Sequence, residues 1–85
     1  MDFKNKVVLI TGASSGIGKQ TAIEFAKLGS NIILVARRKD KLEQVENELK
    51  QFNVTTLICP CDVSKKDQVE IMSKTVLEKF NFIDI

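Results

Sequence analysis

One stretch decides most of what this chain can fold into: Thr11-Gly12-Ala13-Ser14-Ser15-Gly16-Ile17-Gly18, set directly after the apolar run Val7-Val8-Leu9-Ile10. A continuous apolar, β-branched run reads as a strand buried on both faces. The glycines make a turn, and from Gly16 onward the apolar residues recur with helical spacing. Strand, glycine-rich turn and helix start together form the arrangement that receives a dinucleotide pyrophosphate. The first turn of a helix carries unpaired N–H groups and a partial positive charge, both of which stabilise an anion. Glycine has no Cβ, so the anion can come close to the backbone.

The remainder of the chain continues the alternation that this start demands. The first strand is expected from about Lys6 to Thr11. The helix after the turn is expected to aim Ile17, Ala22, Phe25, Ala26 and Leu28 at a core, with Gly29 placed for a left-handed C-terminal cap. Asn31 to Ala36 predicts a second buried strand. Asp40 and Glu43 have capping-box spacing, and Leu42, Val45, Leu49 and Phe52 make the apolar stripe of a second helix. Val54 to Ile58 predicts a third strand, with Asp62-Val63 just beyond its end. Ser64 with Asp67 is a second capping-box candidate, and Val69, Met72, Val76 and Phe80 mark the core face of a third helix. Asn81 to Ile85 reads as the start of a fourth strand. The fold class is therefore α/β, a Rossmann-type doubly wound parallel sheet, incomplete, in the order β-α-β-α-β-α-β. Its expected strand order is 3-2-1-4, with ligand at the C-terminal ends of the strands and at the switch between the first and fourth.

Composition narrows the partners. Eighty-five residues, 44% hydrophobic and 28% charged, suit one small globular domain or part of a larger one. A net charge of +2, with no basic stripe interleaved with aromatics, argues against nucleic acid. No apolar run approaches a membrane span, and Met1-Asp2-Phe3-Lys4 leads almost at once into a strand. Neither a membrane anchor nor a signal peptide is expected, which points to a cytoplasmic protein. Cys59 and Cys61 flank Pro60 in neither a C-x-x-C nor a zinc spacing, and the chain has no His. No metal site is expected, and the two thiols read as reduced and structural, facing one side if the strand reaches them.

The glycines fall as G-x-x-x-G-x-G, unlike the common G-x-G-x-x-G fingerprint. Preceded by Thr11, and with Ile17 between the last two glycines, the segment resembles the short-chain dehydrogenase/reductase family, whose T-G-x-x-x-G-I-G pattern it matches throughout. The resemblance extends over essentially the whole chain, and it implies that residues 1–85 are the N-terminal, cofactor-binding part of a single domain. By analogy with the dinucleotide fingerprint, Gly12 makes the turn, Gly16 allows close backbone approach and Gly18 packs the helix tightly. The N–H of Ile17 is a donor for a phosphate oxygen, and Ser14 and Ser15 add hydroxyl donors.

The end of the second strand speaks to cofactor choice. An acid there would bond the adenosine ribose hydroxyls and repel a 2′-phosphate, whereas an Arg would pair with that phosphate. The chain has Ala36 at the acidic position, followed by Arg37 and Arg38. In the family that pattern goes with NADP(H), and the planar guanidinium fork suits a phosphate dianion. The resemblance also implies that Asp62 receives the adenine amino group while Val63 lies over the ring; a carboxylate, being acceptor-only, can take that N–H.

No catalytic residue is assigned. The family's Asn-Asn-Ala-Gly segment, its Ser and its Tyr-x-x-x-Lys pair would fall past Ile85, and the chain contains no Tyr and no His. In the family, hydride moves between the nicotinamide and a carbonyl or alcohol carbon while Tyr exchanges the proton. The resemblance thus implies an NADP(H)-dependent oxidoreductase acting on a small carbonyl or alcohol, homo-oligomeric as the parent protein. The alternative is a non-catalytic NADP(H)-binding or sensing module, and a downstream Ser with Tyr-x-x-x-Lys would decide between them. A sugar-nucleotide epimerase of the extended branch is disfavoured, because that branch shows T-G-x-x-G-x-x-G.

Overall fold

The computed structural model describes residues 3–80, 83 and 84. Three strands, β1 (Val7–Thr11), β2 (Asn31–Ala36) and β3 (Thr56–Pro60), form a parallel sheet with β2 at its centre. They alternate with helices α1 (Gly16–Lys27), α2 (Lys39–Leu49) and α3 (Lys66–Lys79), and a single 3-10 turn over Lys50–Phe52 follows α2. In register, Val7 lies beside Asn31 and Ile32 beside Thr56.

The two faces of β2 explain why the fold is wound on both sides. Successive side chains of a strand point to opposite faces. Ile32, Leu34 and Ala36 bury against Ala22 and Ala26 of α1 and Leu42, Val45 and Leu49 of α2. Ile33 and Val35 bury on the other face with Val7, Cys59, Cys61 and Val76 of α3. Val69, Met72 and Phe80, half-buried, complete the second layer as the helical spacing predicts. Both cysteines are free thiols on that one face. Burial, and secondarily the neighbouring Cys61, pushes the Cys59 thiol above its ordinary pKa.

The cap after α1 forms as expected. Gly29 takes φ +86°, its N–H donates to the Ala26 carbonyl at 3.0 Å, and the Ser30 N–H reaches Phe25 O at 3.1 Å. These two bonds are the Schellman pattern. Ile17 and Leu28, expected in the core, are instead 84% and 52% exposed. Ile17 sits in the first turn of α1, where the helix has not yet come down over the sheet, and Leu28 is already the C-cap residue. The half-buried Ile23 packs against that core instead.

Neither capping box forms. Helix α2 begins one residue before Asp40, with Arg38 as N-cap and no side-chain cap bond, so Asp40 lies inside the first turn. Helix α3 has Lys65 as N-cap, again without a side-chain bond, because the Ser64 hydroxyl donates to Asp62 Oδ1 at 2.7 Å. Strand β3 also lies two residues later than the apolar run suggested. Its register is set by hydrogen bonding to β2, which carries the strand through Cys59 and Pro60. Of the expected fourth strand, Asn81, Phe82 and Ile85 lie outside the described residues. Ile83 and Asp84 are not in a strand, but Asp84 docks on β1: its N–H donates to Val7 O and its Oδ2 accepts from Val7 N, both at 2.8 Å. That contact is on the side of β1 where the order 3-2-1-4 requires the next strand.

Candidate functional site

All three strands end on the same rim of the sheet, and the loops leaving them form one cleft of about 490 Å³. Its walls are Gly12 and Ser14 from the glycine turn, Val35 to Arg38 from the end of β2, and Cys61 to Ser64 after β3. Sequence segments about 25 residues apart are therefore brought onto one surface by parallel alternation alone.

The glycine turn is built by two different constraints. Gly12 adopts φ +64°, a conformation costly for any residue with a Cβ. Gly18 packs so closely on the turn that a Cβ would lie 2.8 Å from the Gly12 carbonyl carbon and 3.0 Å from Ala13 Cα. Around Gly16, by contrast, nothing lies within 4 Å of where a Cβ would be. Gly16 thus faces open space at the helix start, whereas Gly18 faces protein.

Ser15 is the N-cap of α1: its Oγ donates to Gly12 O at 2.8 Å and accepts from the Gly18 N–H at 3.1 Å. Its hydroxyl is committed to the turn, so the donor role expected of it reduces to a structural one. Its N–H also donates to Gly12 O, at 3.0 Å. Of the first-turn donors of α1, the N–H groups of Gly16 and Ile17 are then left without a partner among the described residues. No acid compensates this end of α1, while α2 and α3 carry Asp40 and Asp67 in their first turns. The helix that follows the glycines is the one whose positive end is left open to an outside anion. Ser14 lines the cleft; Ser15, Gly16, Ile17 and Gly18 do not line it but continue the same turn beside it.

The two arginines differ. Arg38 is held by Asp40 through two bonds, Nη2 to Oδ2 at 2.8 Å and Nε to Oδ1 at 3.3 Å. The hydrogen bond from Arg38 keeps the Asp40 carboxyl below the usual carboxylate range. Among the described residues Arg37 makes no such pair; it lines the cleft together with Asp62, on which its charge acts.

Asp62 is oriented from two directions. Its Oδ1 accepts from the Ser64 N–H at 3.0 Å and hydroxyl at 2.7 Å, and its own N–H donates to Gln68 Oε1 at 2.7 Å. The bonds from Ser64, with the Arg37 and Lys65 charges behind them, hold its carboxyl below the usual range. Oδ2 accepts no bond among the described residues and remains available to an outside donor. Val63 beside it is 56% exposed, an apolar surface at the cleft wall. Sequence reading missed Ser64 and Gln68 as the residues that aim Asp62. The Asp-x-Ser spacing of an Asx turn was the available signal for Ser64, and Gln68 left none.

The matched stretch for the short chain dehydrogenase family model spans residues 6–85, nearly all of the chain. The chain belongs to this family. An uncharacterized oxidoreductase of Listeria monocytogenes is 38% identical over 84 residues, covering 99% of this chain and 34% of that protein. Among solved structures, L-sorbose reductase from Gluconobacter frateurii, complexed with NADPH and L-sorbose, is 39% identical with a TM-score of 0.93, covering 99% of this chain and 33% of that one. An NAD+-bound xylitol dehydrogenase superposes with a TM-score of 0.94 at 32% identity, over 99% and 32% of the two chains. The chain therefore spans about a third of the length of the relatives it matches. As a member of the family it has three strand–helix units, which carry the glycine turn and the cleft. Among the described residues, no helix is long and apolar enough to cross a membrane, and no cluster of three metal-ligating side chains occurs.

Proposed function

We propose that this chain is the NADP(H)-binding part of a short-chain oxidoreductase that moves a hydride between the nicotinamide and a small carbonyl or alcohol. The observation that carries the reading is the single cleft uniting the glycine turn, the Ala36–Arg37 strand end and the Asp62–Val63 loop. In this reading the free N–H groups of Gly16 and Ile17 hold the pyrophosphate, with Ser14 as a further donor. The open space at Gly16 admits that group, and the acid-free helix start favours its charge. Arg37 takes the 2′-phosphate where Ala36 offers no carboxylate to repel it. Asp62 Oδ2 accepts the adenine amino group, and Val63 covers the ring.

When bound, NADPH supplies the hydride; these residues only bind and orient it. Two relatives frame the choice of cofactor, since L-sorbose reductase is known with NADPH and xylitol dehydrogenase with NAD+. The Ala36–Arg37 pair favours the first. Because the chain contains no Tyr and no His, the groups that exchange the substrate proton are assigned to sequence outside these 85 residues. A cytoplasmic, homo-oligomeric parent enzyme is part of the same proposal. The test is a fluorescence titration of the full chain with NADPH and NADH. One charge-assisted phosphate contact contributes on the order of 1.5–3 kcal/mol, so NADPH should bind about ten- to a hundredfold more tightly. Equal or reversed affinities would sink the assignment.

A further inference from the structure

Resting on the NADP(H) reading, we propose that Asp40 is a specificity-determining residue that restrains the affinity for the 2′-phosphate by masking Arg38 and the start of α2.

Arg37 and Arg38 both line the cleft, yet among the described residues only Arg38 is taken up by a partner. Asp40 grips it side-on, occupying Nε and one edge of Nη2. That is the fork with which a guanidinium would clasp a phosphate. Asp40 also occupies the first turn of α2, whose positive end rises at the same rim of the sheet. One carboxylate therefore offsets two positive sources beside the cleft. Lys39 and Lys41 flank it in sequence, so Asp40 is the lone acid in the run from Arg37 to Lys41. Both side chains of the pair are more than half exposed, which makes the pair weak and exchangeable. A weak pair does little to aim Arg38, so the dominant effect of Asp40 on an incoming dianion is its charge. A cofactor lacking the 2′-phosphate brings no charge to this end of the cleft and is indifferent to Asp40.

The experiment is a fluorescence titration of the full chain with NADPH and with NADH, for wild type, Asp40→Asn, Asp40→Glu and Arg37→Ala, at low and high salt. A unit charge several ångströms from a dianion in water predicts that Asp40→Asn binds NADPH about five- to twentyfold more tightly at low salt. The gain should shrink as salt screens it. NADH affinity should not move, and Asp40→Glu, which keeps the charge, should match wild type. Weaker NADPH binding by Asp40→Asn would mean that the pair aims Arg38 at the phosphate, and would overturn the inference. So would an equal gain for both cofactors. If Arg37→Ala loses NADPH affinity while Asp40→Asn gains none, this inference fails alone. If Arg37→Ala leaves NADPH affinity unchanged, the NADP(H) reading of the cleft fails, and this inference with it.

Discussion

Adding one methyl group at Gly18 or at Gly16 should produce opposite failures. In Gly18→Ala the new Cβ would press on the Gly12 carbonyl, lying 2.8 Å from its carbon and 3.0 Å from Ala13 Cα. None of these atoms is the end of a flexible side chain. The Gly12 oxygen already accepts from the Ser15 N–H and hydroxyl, and the Ala13 N–H donates to Val35 O at 3.1 Å, so the turn cannot move without breaking bonds. Overpacking of this kind costs about 1–3 kcal/mol, and loss of the Ser15 cap about 1 more. The helix gains at most about 1 kcal/mol from Ala in place of Gly, leaving a net loss of about 1–3 kcal/mol. Gly16→Ala meets nothing within 4 Å and sits at an ordinary φ. It should keep or slightly raise stability, while its methyl group occupies the space proposed for the pyrophosphate. Urea unfolding of both variants, with NADPH titration of each, separates the two effects. A Gly18→Ala protein as stable as wild type would refute the packing argument. A Gly16→Ala protein with native NADPH affinity would refute the binding one.

Three further outcomes are expected. Ala36→Asp should turn cofactor preference toward NADH by at least about tenfold, since it places a carboxylate against the 2′-phosphate; parallel titrations with the two cofactors check this. Asp62 has a lowered folded pKa, so its charge stabilises the fold above the ordinary value of 3.8 and that contribution disappears as pH falls through the lower folded value. Acid unfolding should accordingly show a loss in wild type that Asp62→Asn does not share, and identical acid limbs would contradict it. Cys59, its thiol pKa raised, contributes stability below the ordinary 9.0 that is lost as pH climbs above it. Native protein near pH 7 should resist a thiol reagent until denatured, and rapid labelling of Cys59 in the folded state would show the site to be open.

The sheet was legible because β2 is apolar on both faces and Gly29 ends α1 where the periodicity says it should. The helix starts were not. Asp40 and Ser64 both had capping chemistry, but each found a nearer partner, Arg38 for one and Asp62 for the other, and local side-chain pairs of this kind leave no periodic trace. Strand β3 slipped by two residues because its apolar run says where burial is possible, while the ladder with β2 decides where pairing occurs. At the site, the glycines and the Ala36–Arg37 pair could be read directly, as each depends on residue type at one position. The different fates of Arg37 and Arg38 could not, since adjacent identical residues are distinguished only by what stands opposite them.

The ladder does not stop where the strands do. The Ala13 N–H bonds Val35 O at 3.1 Å and the Cys61 N–H bonds Ala36 O at 2.8 Å, so the loops that wall the cleft are stitched to one another across the strand ends. Fixing a loop residue at the moment a ligand arrives costs about 1–2 kcal/mol each in lost backbone freedom. Here that loss has already been incurred in folding. The adenosine end of a dinucleotide would therefore meet a surface in its bound shape, and its association should show little of the slow, ordering phase that marks a site assembled on its ligand.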